Sequence, residues 1–375
     1  MNIFRVIQKP RAGLRKLMLA AGLCAGLSAC ACLGDRNGGD FPPELVLLTT
    51  QPSNQAAPDR MLLVLSAPSI HDTYYRPAFE LIKEFQINYA KSILGNDNVV
   101  ILVDADTLPH YSSRLPADVL LTEDVRDIWM RDFTTANPLA PRQFTYTSAS
   151  MTPTQSREVQ NSFIAFANRY GIERTTTTLQ LDGGNLVDDY AGKVITTTRF
   201  LTDNALTAAQ GKAALKNLLG ATQVAIVDPD EPVLAHSDGM VMWLDDKTLL
   251  VNNYAPTNAA LRTSVLNELT TSFPGTKIIE VPVQNVDNPP GQWTGFSSAC
   301  GVNVNSVLTY KNIYVPTFAM SHDSAFLDIV RANTNKKIIP VDARGVCPMG
   351  GSVRCLTWQV TGQNAARLIQ SARDK

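Results

Sequence analysis

The chain has 375 residues with a formal net charge of −1; 45% of them are apolar and 18% charged. That balance excludes a disordered chain and a strongly basic nucleic-acid binder, and it leaves enough apolar residues for a sizeable core. A length above the usual single-core size calls for two domains or a repeat architecture.

Residues 1–29 carry Arg5, Lys9, Arg11, Arg15 and Lys16, then an apolar run over 17–27. The run is too short to span a bilayer as a mature helix, and small residues follow it, which is the pattern of a secretory signal. Leu27-Ser28-Ala29-Cys30 resembles a bacterial lipoprotein cleavage box, so Cys30 is expected to become a lipidated first residue. Ala31 after it, with no aspartate there, points to the outer membrane, facing the periplasm or the surface. Residues 30–44 lack apolar periodicity and read as a tether, leaving 45–375 as the folded domain. The leader holds five positive charges and no acidic residue, so its removal takes the net charge from −1 to −6. An acidic surface argues against nucleic acid and favours a cationic ligand.

The folded part reads as five successive strand–helix–strand units, each an apolar strand, an amphipathic helix and a second strand. The spans are 61–66, 76–93 and 99–103; 143–147, 157–170 and 176–181; 193–197, 207–219 and 223–227; 248–252, 258–271 and 277–281; and 312–316, 323–332 and 337–341. Repetition on this scale means one unit whose neighbours bury each other's faces. A doubly wound parallel sheet is the alternative. Against it, no Gly-rich phosphate loop follows any first strand.

A polar motif also recurs at one phase, after the last strand of every unit: 124–132, 182–185, 236–238, 303–305 and 350–355. In a closed ring the same phase is the same distance from the axis, so five polar segments would line one cleft. Cys355 lies in the fifth, preceded by Gly350-Gly351, which makes it the candidate nucleophile. His236 is the candidate acid and base, suited to protonating a leaving amine and then activating water. Asp132 and Asp238 share the phase of the thiol and histidine. Two fixed carboxylates would repel a peptide's oxyanion and favour a planar cation with several N–H donors, and guanidinium is that group.

Ile128-Trp129-Met130-Arg131-Asp132, Leu181-Asp182-Gly183-Gly184-Asn185, His236-Ser237-Asp238, Asn305 and Gly350-Gly351-Ser352-Val353-Arg354-Cys355-Leu356-Thr357, taken in order, resemble the agmatine deiminase and bacterial-type peptidylarginine deiminase family, part of the guanidino-modifying pentein superfamily. The resemblance implies a five-bladed α/β propeller with pseudo-fivefold repeats and a reaction without metal or organic cofactor. It implies Cys355 as nucleophile, His236 as general acid then base, Asp132 and Asp238 as guanidinium clamps, and Asn305 as a polar contact near the thiol. Trp129, Gly184 and Asn185 complete the expected substrate-binding set. The implied reaction converts a guanidino to a ureido group with release of ammonia through a thiouronium adduct. A related amidinotransferase or arginine dihydrolase, and an inactive surface binding protein, are the alternatives.

Three features depart from the family. Arg354 stands where it usually has histidine, and Asp182 where it has glutamate. The stretch Tyr146-Thr147-Ser148-Ala149-Ser150 lacks the arginine pair with which peptide-processing members hold a C-terminal carboxylate. Export, in turn, sits badly with a polyamine-pathway enzyme, so the guanidine stays open between agmatine-like, free arginine and peptidyl-arginine. Of the domain's cysteines, pairing of Cys300 with Cys347 would leave Cys355 reduced. His71, His110 and His322 are read as non-catalytic, and Asp124 and Asp127 as solvated surface groups.

Overall fold

All five expected units are present in the computed structural model, which describes residues 53–374 apart from 56, 285, 287, 289–292, 294 and 295. The expected signal at 1–29, the tether at 30–44 and Cys30 lie outside the described residues. The units are Leu62–Ser66, Phe79–Ile93 and Asn98–Val103; Arg142–Thr145, Pro153–Arg169 and Thr175–Gln180; Lys193–Thr197, Ala208–Leu219 and Gln223–Val227; Thr248–Asn252, Ala259–Ser272 and Lys277–Val281; and Asn312–Thr317, Ser321–Asn333 and Lys337–Asp342. In each, the two strands pair in parallel across the helical crossover. The second helix starts at Pro153, four residues before the expected 157, because Thr152 and Gln155 form a reciprocal cap with proline at the first helical position.

The sequence pattern did not reveal the short antiparallel strands. Val187–Asp188, Val241–Trp243 and Val307–Leu308 each pair with the first strand of the unit that follows them. In the second sheet this strand shrinks to one bridge between Ala136 and Arg142. In the first sheet it comes from the far end of the chain: Trp358–Val360 pairs with Leu62–Ser66, and the helix Gly362–Arg373 follows. Neither C-terminal element was expected.

The first strands of most units, such as Leu62–Ser66 and Thr248–Asn252, are buried on both faces because both faces are covered. Leu62 and Val64 pack with Phe163, Phe166 and Trp358, whereas Leu63 and Leu65 pack with Tyr314 and Val341. Three further cores join Leu181 to Val194 and Val224, Ile195 to Leu249 and Phe273, and Leu250 to Ile313 and Phe326. Each core thus joins two consecutive units, and one joins the fifth unit to the first. Among the described residues the protein is an α/β fold of five small sheets whose neighbouring units share cores. Each large apolar side chain buried this way contributes about 1.5–3 kcal/mol, so truncating Phe163 or Phe326 would loosen two units together.

Candidate active site

Each polar motif lies between the second strand of one unit and the antiparallel strand of the next sheet. Tight turns present them, among them Met130–Phe133, Gly183–Asn185 and Ser237–Gly239. Cys355 is buried with a free thiol, whose Sγ lies 3.2 Å from Asn305 Nδ2 and 3.8 Å from Asp238 Oδ2. Asn305 Oδ1 accepts from Ser352 Oγ at 2.9 Å, Arg354 N at 3.1 Å and Cys355 N at 3.3 Å, which fixes the thiol's own loop. Asn305 is therefore the polar contact expected of it. Two cavities of about 400 and 300 Å³ meet here, both lined by His236, Leu234, Phe296, Gly350 and Cys355.

His236 stands between two carboxylates. Its Nε2 is 3.3 Å from Asp182 Oδ2 and its Nδ1 is 3.8 Å from Asp132 Oδ1. Burial alone would lower its pKa, but the charge of Asp132 and the hydrogen bond and charge of Asp182 prevail and raise it to about 9. Asp182 is itself secured by Arg199 Nη1 at 3.1 Å and the Thr147 amide at 3.0 Å. Although burial works against it, the His236 hydrogen bond, the Arg199 charge and the Thr147 amide hold its carboxyl below the usual range. Asp132 moves the other way: burial, with Asp182 and Asp238 nearby, lifts it to about 7. Burial first, then Asp238 and Asp132, pushes the Cys355 thiol well above its ordinary range. A cation placed between the carboxylates and the sulfur would reverse that charge effect.

Two expected substrate contacts serve other purposes. Asn185 does not line either cavity; its Oδ1 accepts from the Thr197 amide at 3.0 Å and the Ser237 amide at 3.3 Å, tying the Asp182 turn to the His236 turn. Gly184 donates its amide to Asp132 Oδ1 at 2.9 Å and leaves room beside it. A Cβ there would lie 2.6 Å from His236 Nδ1 and 2.7 Å from Asp132 Oδ1. Trp129 lines the larger cavity and packs on Gly351, where an added Cβ would lie 2.4 Å from the indole. Asp127, expected to be a solvated surface group, lines that cavity and accepts from Tyr75 Oη at 2.6 Å.

Sequence reasoning missed Asp182 as the orienting carboxylate of His236 and Arg199 as its counterion. Asp182 sits in a motif at the right phase, so the signal existed; Arg199 carries none, because its partner is set by the fold. Arg354 was seen only as a departure. Its Nη1 lies 3.0 Å from Asp238 Oδ2 and its Nη2 donates to Leu186 O at 2.9 Å. Cys300 and Cys347 form the expected disulfide. His71 pairs with Asp106 at the surface, and His322 contacts Gly301 O. Among the described residues no group of three or more His, Cys, Asp or Glu side chains is placed to hold a metal.

The fold is shared with solved deiminases. A chain provisionally assigned as a peptidyl-arginine deiminase is 20% identical with a TM-score of 0.69, covering 84% of this chain and 99% of that one. Agmatine deiminase of C. jejuni is 18% identical with a TM-score of 0.67, covering 83% and 95%, respectively. Agmatine deiminase of Enterococcus faecalis is 16% identical with a TM-score of 0.66, covering 84% and 96%. A search of curated proteins found no match. The sequence profile of the Porphyromonas-type peptidyl-arginine deiminases matches residues 53–361, so the chain belongs to that family.

Proposed function

We propose that the protein is a guanidine deiminase, a C–N hydrolase in which Cys355 is the nucleophile and His236 the proton carrier. One observation carries this reading: a single thiol shares its cavity with His236 and faces Asp238, with Asp132 beside the histidine. The guanidinium enters between Asp132 and Asp238, which accept its N–H groups. Its positive charge favours the thiolate, and the thiol proton passes to solvent. The sulfur attacks the guanidinium carbon. His236, charged at neutral pH, gives its proton to the departing nitrogen, the C–N bond breaks and ammonia leaves. Neutral His236 then takes a proton from water, the resulting hydroxide attacks the thiouronium carbon, and the C–S bond breaks to give the ureido product and the free thiol.

The larger cavity favours a substrate whose far end is neutral or cationic. Asp72, Asp127 and Glu158 line it, and Arg126 there is paired with Glu158 at 3.4 Å. An agmatine-like guanidine fits that charge; a free C-terminal carboxylate does not. Peptidyl-arginine is the second reading, favoured by the 400 Å³ volume, which exceeds the needs of a small amine. Ammonia release from agmatine, free arginine, and internal and C-terminal peptidyl-arginine tests both. Agmatine turnover by wild type, abolished in Cys355→Ala, is expected. Turnover of none of the four, or equal turnover by Cys355→Ala, would remove the assignment.

Export with lipid anchoring at Cys30 belongs to the same proposal. The basic and apolar start, the Leu-Ser-Ala-Cys box and a disulfide suited to an oxidising compartment support it. Full-length wild type should partition with membranes and incorporate labelled palmitate, and Cys30→Ser should do neither. A soluble, unlabelled wild type would contradict anchoring.

A further inference from the structure

We propose that Arg354 is a positioning residue: a guanidinium built into the protein that occupies Asp238 from beneath, leaves the other carboxylate oxygen to the ligand, and offsets the charge that Asp238 sets against the Cys355 sulfur. The inference rests on the deiminase reading for its meaning, but its test does not need turnover.

The geometry is specific. Asp238 Oδ2 lies 3.0 Å from Arg354 Nη1 and 3.8 Å from Cys355 Sγ, so one oxygen faces both the internal cation and the nucleophile. Among the described residues no hydrogen bond reaches Oδ1 of Asp238. Arg354 is buried and held at several points, with Nη2 on Leu186 O at 2.9 Å and its backbone amide on Asn305 Oδ1 at 3.1 Å. A guanidinium in this position stays charged at any working pH. Asp238 and Arg354 are adjacent to the chemistry, yet Arg354 lines neither of the two cavities that meet at the thiol. It therefore acts on the ligand only through Asp238.

The charged surroundings are as follows. Asp132 and His236 face the thiol from the cavity side, with Asp182 and Arg199 behind the imidazole. Asp188, Tyr190 and Arg131 lie near Arg354, and Asp230 and Glu231 line the smaller cavity. Removing Arg354 from this set leaves Asp238 as a buried carboxylate without its counterion. Two consequences with opposite effects follow. The site becomes more attractive to cations, and the thiolate becomes harder to form because the nearest negative charge is no longer offset.

The test compares alkylation of Cys355 by neutral iodoacetamide and cationic 2-chloroacetamidine across pH, in wild type, Arg354→Gln and Arg354→His. In Arg354→Gln the alkaline midpoint for iodoacetamide labelling should rise by about one pH unit, and the ratio of chloroacetamidine to iodoacetamide rates at pH 7 should rise at least about threefold. Arg354→His should behave like wild type at low pH and like the glutamine variant at high pH, because its charge is lost on the way. It also supplies the reading if Arg354→Gln does not fold. A purely structural arginine would lower Tm in the variants and leave both the midpoint and the ratio unchanged, and that result would overturn the proposal. If wild type turns over no guanidine while the labelling shifts occur, the deiminase reading fails and the role of Arg354 stands. If guanidines are turned over and the labelling does not respond, only the role of Arg354 fails.

Discussion

Asp182 and His236 meet at 3.3 Å between Oδ2 and Nε2, although 54 residues separate them. Asp182 also accepts from Arg199 and from the Thr147 amide, so it is a fixed support that orients the ring and keeps it charged. With the imidazole at about 9, protonation of the leaving nitrogen persists through neutral pH and is lost above it. Asp182→Asn removes a charge and weakens that support. The alkaline limb of kcat/KM should move down by at least about one pH unit, as pH–rate profiles of the two proteins would show. A profile that keeps its shape while Tm drops would assign Asp182 to stability alone.

Asp238→Asn and Asp132→Asn should each lower kcat/KM by at least about tenfold, since losing one buried partner of a charge pair costs roughly 2–5 kcal/mol. Asp238→Asn should have the larger effect, because Asp238 Oδ2 stands nearest the sulfur. Steady-state kinetics on the preferred guanidine measures both. Unchanged kinetics with lowered Tm would return these residues to a structural role.

Gly184→Ala places a methyl group 2.6 Å from His236 Nδ1 and 2.7 Å from Asp132 Oδ1, so one or both of these side chains must shift. A displacement of this size should cost roughly a hundredfold in kcat. The turn itself can survive, so activity should fall far more than Tm. A fully active Gly184→Ala would show that the pair has more freedom than the structure assigns it.

The Cys300–Cys347 disulfide spans 47 residues and ties the segment before Asn305 to the loop leading to Cys355. On chain entropy a loop of that size is worth up to about 4 kcal/mol. Residues 45–375 should show one reactive thiol when unfolded without reductant and three after reduction. Cys347→Ser should lower Tm clearly. Three thiols before reduction would eliminate the bridge.

Stability should fall from mildly acidic to alkaline pH. Burial raises Asp127 and Asp188 to about 6 and Asp132 to about 7. In the window between the unfolded value of roughly 4 and these values, the folded protein holds protons that the unfolded chain has lost, so stability drops as pH rises. His236, raised to about 9, adds stability that is complete below its unfolded value of about 6.5 and is lost as pH rises through 9. Asp182 has the opposite sign: its carboxyl is lowered, so its contribution is present above roughly 4 and disappears as pH falls through the folded value. Thermal melts should therefore give the highest Tm near pH 5 and a decline towards pH 9. A Tm that climbs over that range would contradict the buried-acid assignments.

The repeat itself was legible in the chain because it is written locally. Runs such as Leu62–Ser66 and Gln223–Val227 are apolar on both faces, and helices such as Ala208–Leu219 are amphipathic and capped at Thr207. The recurring phase of the polar motifs then placed Cys355, His236, Asp238, Asp132 and Asn305 together, and the structure brings all five to one site. What local pattern cannot carry is the identity of a distant partner. The three residues Trp358–Val360 give no sign that they complete the sheet of Leu62–Ser66. Asn185 looks like a ligand contact from its motif, yet its Oδ1 is taken up accepting from the Thr197 and Ser237 backbone amides. Arg199 finds Asp182, and Arg354 finds Asp238, only once separate turns converge. Apolar periodicity and caps are properties of a single segment and survive in one dimension. Polar pairing between buried side chains depends on which turns the packing of the sheets makes neighbours, and only the tertiary structure decides that.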